Sequence, residues 1–161
     1  MSATPGEGAD DDSRPAVQVR GIDHVGVAVP DLDAAARFFR TVFGLTLVHR
    51  EQNADQGVDE AFVTAQDGGP PLQLLAPLGP DTTIGRFLER RGAGLQQLAL
   101  RVDDVDAAIV ALRAAGIVPL FDPARPGTDG SRVTFVHPRD AFGVLVELVE
   151  ARQQQSGGLP H

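Results

Sequence analysis

Four polar side chains interrupt strand-like apolar runs in this chain, and their types suit a divalent cation. They are His24 in IDHVGVAV, Gln73 in PLQLLAP, Gln97 in GLQQLALRV and Glu147 in VLVELVE. His24 and Gln73 are 49 residues apart; Gln97 and Glu147 are 50 apart. Buried polar groups need partners. Taken singly, a strand glutamine pairs more often with backbone or water, and a lone histidine is more often a satisfied core residue. A glutamate inside an apolar strand is rarely buried without a partner. Four such residues at matched positions favour one shared cation. An imidazole nitrogen, two amide oxygens and a carboxylate would form a borderline-to-hard site with open positions.

The matching comes from an internal repeat. GIDHVGVAVPDLDAA (21–35) aligns without a gap to GLQQLALRVDDVDAA (94–108) at an offset of 73. Gly21 meets Gly94, Val29 meets Val102 and Arg40 meets Arg113, while Gly44 corresponds to Gly116 after one deletion. His24 and Gln97 then share a first-strand position. Gln73 and Glu147 share one on the last strand.

Each copy opens with an apolar, β-branched run, Ile22 to Val29 and Leu95 to Val102, which reads as a strand. Asp31 and Asp104 follow as helix N-caps, with Gly44 and Gly116 at the C′ positions. Three further strands are expected per copy, at 45–52, 58–66 and 70–76, and at 117–122, 131–137 and 143–149. The link 77–93 contains a helix from Thr83 to Arg90, capped by Asp81 or Thr82. The class is therefore α+β: two tandem βαβββ units, about 20–76 and 94–150, curled into an incomplete barrel around a cavity. Equivalent positions are expected to face each other across that cavity. Residues 1–19 and 151–161 lack an apolar period and read as disordered tails flanking the 20–150 domain.

Composition removes several chemistries. No cysteine means no disulfide, CxxC site or thiolate nucleophile. All 14 cationic side chains are arginine, so no lysine Schiff base can form. Tryptophan and tyrosine are absent, and the net charge is −8, of which residues 20–150 carry −6. Neither feature suits nucleic-acid binding. No apolar stretch approaches a membrane span and no signal segment opens the chain, so the expected location is cytoplasmic.

The βαβββ repeat with polar residues on its first and last strands resembles the vicinal oxygen chelate (glyoxalase-like) superfamily. Within it, IDHVGVAVPDL (22–32), DQGVDEAFV (55–63), LQLLAPLGPDTTIGRFLERRGAG (72–94) and GSRVTFVHPRDAFGVLVELVE (130–150) resemble the methylmalonyl-CoA epimerase family. The resemblance spans about residues 20–150. It implies metal ligands at His24, Gln73, Gln97 and Glu147, and a catalytic pair at Glu60 and Glu147. Without it, Glu60 reads as a solvated strand residue beside Asp59. Many family members carry a histidine pair where this chain has Gln96-Gln97. An amide at 97 is a weaker ligand and favours harder ions such as Co²⁺, Mn²⁺ or Mg²⁺ over Zn²⁺.

The implied reaction interconverts (2R)- and (2S)-methylmalonyl-CoA by C2 proton transfer through a metal-stabilised enolate. The implied partners are a small acyl-CoA and a second copy of the chain in a homodimer. Two other readings stay open: a glyoxalase-type lyase or isomerase, and a metal-free small-ligand-binding protein of the same fold. The DQGVDE segment with Glu60 favours the epimerase. His49 and His137 read as structural or cavity-rim residues. Arg86, Arg132 and Arg139 are candidates for CoA phosphates or the substrate carboxylate, with a solvated surface arginine the plainer reading of each.

Overall fold

The computed structural model describes residues 14–153; residues 1–13 and 154–161, most of the two expected tails, lie outside the described residues. The elements run β1 (Gly21–Ala28), α1 (Leu32–Phe43), β2 (Thr46–Asn53), β3 (Val58–Thr64), β4 (Leu72–Pro77), α2 (Thr83–Arg91), β5 (Gly94–Arg101), α3 (Val105–Ala114), β6 (Arg125–Pro126), β7 (Arg132–Val136) and β8 (Val146–Glu150). The eight strands form one sheet in the order β2-β3-β4-β1-β5-β8-β7-β6, curled as a half-barrel.

Each half pairs its first and last strands in parallel, β1 with β4 and β5 with β8. The halves join through β1 and β5, which run antiparallel from Gly21↔Arg101 to Ala28↔Gly94. Equivalent first-strand positions therefore lie side by side at a central seam, not opposite each other across a cavity. The seam places His24 against Ala99, and Gly26 against Gln97. Under the repeat these two pairs are equivalent, so each polar side chain lies beside a small residue of the other half.

The capping residues behave as their types dictate. Asp31 accepts from Ala34 N at 3.0 Å and Asp104 from Ala107 N at 2.9 Å, while Thr82 accepts from Gly85 N at 3.0 Å. Gly44 ends α1 at φ +70°, a left-handed conformation that glycine adopts without Cβ strain.

One expected strand does not form. Residues 117–122 run as irregular chain, held to β7 by Leu120 N–Phe135 O at 2.8 Å and by Thr134 Oγ1, which donates to Phe121 O at 2.7 Å. Pro119 and Pro123 have no amide hydrogen to donate, which prevents a regular ladder. Only Arg125–Pro126 pairs with β7 here.

Strand alternation decides which side chains meet. On the outer face, α1 packs through Leu32 on Ala61, Val63 and Leu74, and α3 packs through Val105, Ala108 and Leu112 on Val136 and Leu148. Val17, in a segment expected to be tail, packs against this second cluster. Alternate residues turn to the inner face, where α2 closes one end through Ile84 against Ala28, Val58 and Leu75. The polar residues lie on that inner face.

Gly26 has no room for a side chain: a Cβ there would stand 2.4 Å from Gln97 Cγ. Gly26→Ala is expected to cost about 1–3 kcal/mol of stability in urea unfolding. An unchanged midpoint would show that the seam tolerates a methyl group.

Candidate active site

The inner face carries His24, Glu60, Gln73 and Glu147, exposed by only 3%, 2%, 3% and 6%. The hydrogen-bond register explains why they share it. Gln73 pairs with Gly26 on one side and Phe62 on the other; Glu147 pairs with Ala99 and Phe135. The two halves thus present equivalent positions in equivalent surroundings. Glu60 is the exception. Its partner under the offset of 73 is Val133, so only one half carries a carboxylate there.

All five residues expected at the site fall into one network. Gln97 Nε2 lies at its hub, 2.8 Å from Glu147 Oε2, 3.0 Å from Gln73 Oε1 and 3.3 Å from His24 Nε2. His24 Nε2 is also 3.1 Å from Glu147 Oε2. Gln73 Nε2 donates to Glu60 Oε2 at 3.0 Å. Both contacts of Glu147 use Oε2, and among the described residues no donor engages Oε1.

Residues outside the expected set hold this network in place. Thr128 Oγ1 donates to Glu60 Oε1 at 2.6 Å and accepts from Gln73 Nε2 at 3.0 Å. In the sequence Thr128 signalled only a turn, within Gly127-Thr128-Asp129-Gly130. Asp23 Oδ2 lies 2.7 Å from His24 Nδ1 and its other oxygen accepts from Arg101 Nε at 3.3 Å, which fixes the ring's orientation. The repeat offered a signal for Asp23: its counterpart is Gln96, a second matched polar position one residue before the first. Phe62 meets the His24 ring edge-on at 5.3 Å between centroids.

The remaining candidates lie elsewhere. His49 pairs with Glu51 at 2.6 Å, and His137 Nδ1 accepts from Arg139 N at 3.1 Å in a 3-10 turn. Arg132 makes a bidentate pair with Asp106 at 2.8 Å, and Arg86 donates to Asp81 O at 2.6 Å. Neither they nor Arg139 lines a cavity beside the site.

Two cavities flank the network. The larger, about 820 Å³, reaches Asp23, His24, Phe62 and Glu147. The smaller, about 320 Å³, reaches Glu60, Gln73, Gln97 and Glu147 and has apolar walls. Thr128 and Glu147 border both.

The hub fits a divalent cation by its donor set. Gln73 Oε1, Glu147 Oε2 and His24 Nε2 converge on one point, where the partly positive amide nitrogen of Gln97 stands. Turning that amide over would present its oxygen as a fourth donor. Among the described residues no group of three or more His, Cys, Asp or Glu gathers at one point, so four donors are reached only with the two glutamines. Burial alone would lower the His24 pKa, but hydrogen bonds to Asp23 and Glu147 outweigh it and raise it to about 9. A cation binding here therefore displaces a proton.

Burial pushes the Glu60 carboxyl up to about 7, against the opposing hydrogen bond from Thr128, and the nearby Glu51 and Glu147 carboxylates add to the rise. A carboxyl whose folded pKa exceeds its unfolded value favours folding at low pH and loses that contribution as pH rises through the folded value. Glu60→Gln should therefore raise Tm at pH 8 and leave it unchanged at pH 4. An equal Tm at pH 8 would show that the ionised carboxylate is not disfavoured in its site.

Residues 23–135 match the Glyoxalase/Bleomycin resistance protein/Dioxygenase superfamily. The chain is 38% identical to the mitochondrial methylmalonyl-CoA epimerase of Mus musculus over 141 residues, covering 87% of this chain and 78% of the relative. A crystal structure of methylmalonyl-CoA epimerase from Mycobacterium tuberculosis superposes with a TM-score of 0.82 at 46% identity, covering 87% of this chain and 93% of that one. A Streptomyces coelicolor methylmalonyl-CoA epimerase variant in complex with 2-nitronate-propionyl-CoA superposes with a TM-score of 0.77 at 42% identity, covering 82% and 97%. With the fold, the seam and the inner-face carboxylates in place, these likenesses establish that the chain belongs to the methylmalonyl-CoA epimerase family of that superfamily.

Proposed function

We propose that this protein interconverts the two C2 epimers of methylmalonyl-CoA. One observation carries the reading: Glu60 is 2% exposed, has its pKa raised to about 7, and abuts the network of Gln73, Gln97, His24 and Glu147. A base of that strength suits proton abstraction near neutral pH. The epimerases to which the chain is similar, one of them holding a propionyl-CoA analogue, support the substrate class.

Epimerisation removes the C2 proton from one face of the substrate and returns one to the other. Glu60 takes the proton, leaving a planar enolate, and Glu147 serves the opposite face. The arrangement supports two separate bases. Gln73 touches Glu60 through Nε2 and Gln97 through Oε1, and Gln97 in turn donates to Glu147, so two amides part the carboxylates. Glu147 can serve twice because Oε2 faces the hub while Oε1 is left for the proton. Thr128 holds Glu60 Oε1 and steadies the base for attack. His24, Gln73, Gln97 and Glu147 would hold a divalent cation, which would supply positive charge against the oxygens on which negative charge develops.

A homodimer belongs to the same reading. Phe38, Val42 and Phe43 of α1 and Leu47 and Val48 of the edge strand β2 leave apolar surface exposed that a second copy would cover.

Incubating methylmalonyl-CoA with the protein in deuterated water tests the proposal. The expected outcome is deuterium at C2, with kcat/KM rising tenfold per pH unit up to about 7 and then levelling. Glu60→Gln should lose more than about 100-fold of the exchange rate while binding Mn²⁺ as before. Full exchange in that variant would remove Glu60 from the mechanism.

A further inference from the structure

Epimerisation through two bases leaves each carboxyl in the wrong protonation state, so both must recover before the next turnover. Glu60 is poorly placed for this. It is 2% exposed although it borders the smaller cavity, and both its oxygens are engaged, Oε1 by Thr128 and Oε2 by Gln73. A glutamine amide does not carry protons near neutral pH. The Thr128 hydroxyl already spends its hydrogen on Glu60 and accepts from Gln73.

A separate line of side chains joins Glu60 to the surface. Glu51 is its direct partner in the β2–β3 ladder, and the two carboxyl groups are in hydrogen-bond contact. Strand alternation turns His49, two residues earlier, to the same inner face, while Arg50 between them pairs on the outer side with Asp33 and Asp59. His49 Nε2 lies 2.6 Å from Glu51 Oε2, which also accepts from Asp129 N at 3.4 Å. The His49 and Glu51 side chains are 32% and 31% exposed, so both reach water. Neither lines the two cavities.

Two features mark this line as more than surface polarity. Glutamates directly opposed across a ladder cost stability, and among the described residues the only basic side chain that meets Glu51 is His49. Histidine is the side chain that gains and loses a proton near neutral pH. The sheet order also places β3 between β2 and β1, and Phe62 of β3 packs on His49 at 6.1 Å and on His24 at 5.3 Å between ring centres. That apolar ring keeps His49 off the hub and leaves Glu51 as its link to the site.

Resting on the epimerase reading above, we propose that Glu51 and His49 form a proton relay that returns Glu60 to its starting state between turnovers. Protonated Glu60 gives its proton to the Glu51 carboxylate, Glu51 passes it to Nε2 of His49, and the imidazolium loses a proton to water. The same steps run backwards to protonate Glu60 for the opposite direction. Only bonds to hydrogen form and break, and each proton taken up is matched by one released.

Steady-state kinetics of His49→Ala test the relay. Recovery of the free enzyme limits kcat and not kcat/KM, so kcat should fall about tenfold while kcat/KM stays unchanged. Imidazole in the buffer should restore kcat in this variant and leave the wild type unaffected. Glu51→Gln should lower kcat as well, without rescue by imidazole, because the link to Glu60 is cut. An unchanged kcat in either variant overturns the relay, as does imidazole rescue of Glu51→Gln. A loss in His49→Ala that imidazole does not restore, or that kcat/KM shares equally, marks a structural role and overturns it too. If the wild-type protein exchanges no deuterium at C2, the epimerase reading itself falls, and the relay with it.

Discussion

The antiparallel pairing of β1 with β5 is the constraint on which the site depends. It is the only seam between the two repeats within the described sheet, and it brings equivalent polar positions to adjacent strands. His24 opposes Ala99 and Gln97 opposes Gly26, so each long polar side chain has a small neighbour to lie across. Had either small residue been bulky, the two side chains could not lean inward together. The parallel partners β4 and β8 then place Gln73 and Glu147 one strand further out on the same face. A convergent donor set follows from duplication plus strand period, with no loop required to build it.

Duplication alone would give a symmetric site, with the same side chain at each pair of matched positions. Beyond the strand missing at 117–122, the halves also differ at inner-face positions. Glu60 stands where the other half has Val133, which is fully buried. Gln73 and Glu147 differ in charge at matched positions, as do Asp23 and Gln96. The first repeat thus contributes the buried Glu60 carboxyl and the oriented imidazole of His24. The second contributes Glu147, and both halves wall the smaller cavity, the first through Val58 and Leu75 and the second through Phe135 and Leu145. Burying Glu60 is costly when it ionises, and that cost is what lifts its pKa into a useful range.

Much of this was legible in the sequence because repeats and period-2 patterns are local and countable. The offset of 73 matched His24 to Gln97, and a one-residue shift matched Gln73 to Glu147, without any three-dimensional information. Glu60 was not legible that way, since its setting of Asp59-Glu60 looks solvated; it needed the family resemblance. The strand expected at 117–122 failed because apolar content masked the effect of two prolines on the ladder. Thr128 escaped notice because it comes from a three-residue 3-10 turn, whose position depends on tertiary packing. Of the three arginines that did draw attention, Arg86 and Arg132 are held by Asp81 and Asp106 at the surface, and Arg139 lies beside Asp140.

The central claim is that side chains from both repeats converge on one cation. A crystal of the protein grown with Mn²⁺ and measured for anomalous scattering at the manganese edge addresses it directly. The account predicts a single strong peak about 2.0–2.4 Å from His24 Nε2, Gln73 Oε1, Gln97 Oε1 and a Glu147 oxygen, with the Gln97 amide reversed. A peak elsewhere, or none at the hub under saturating metal, would contradict it.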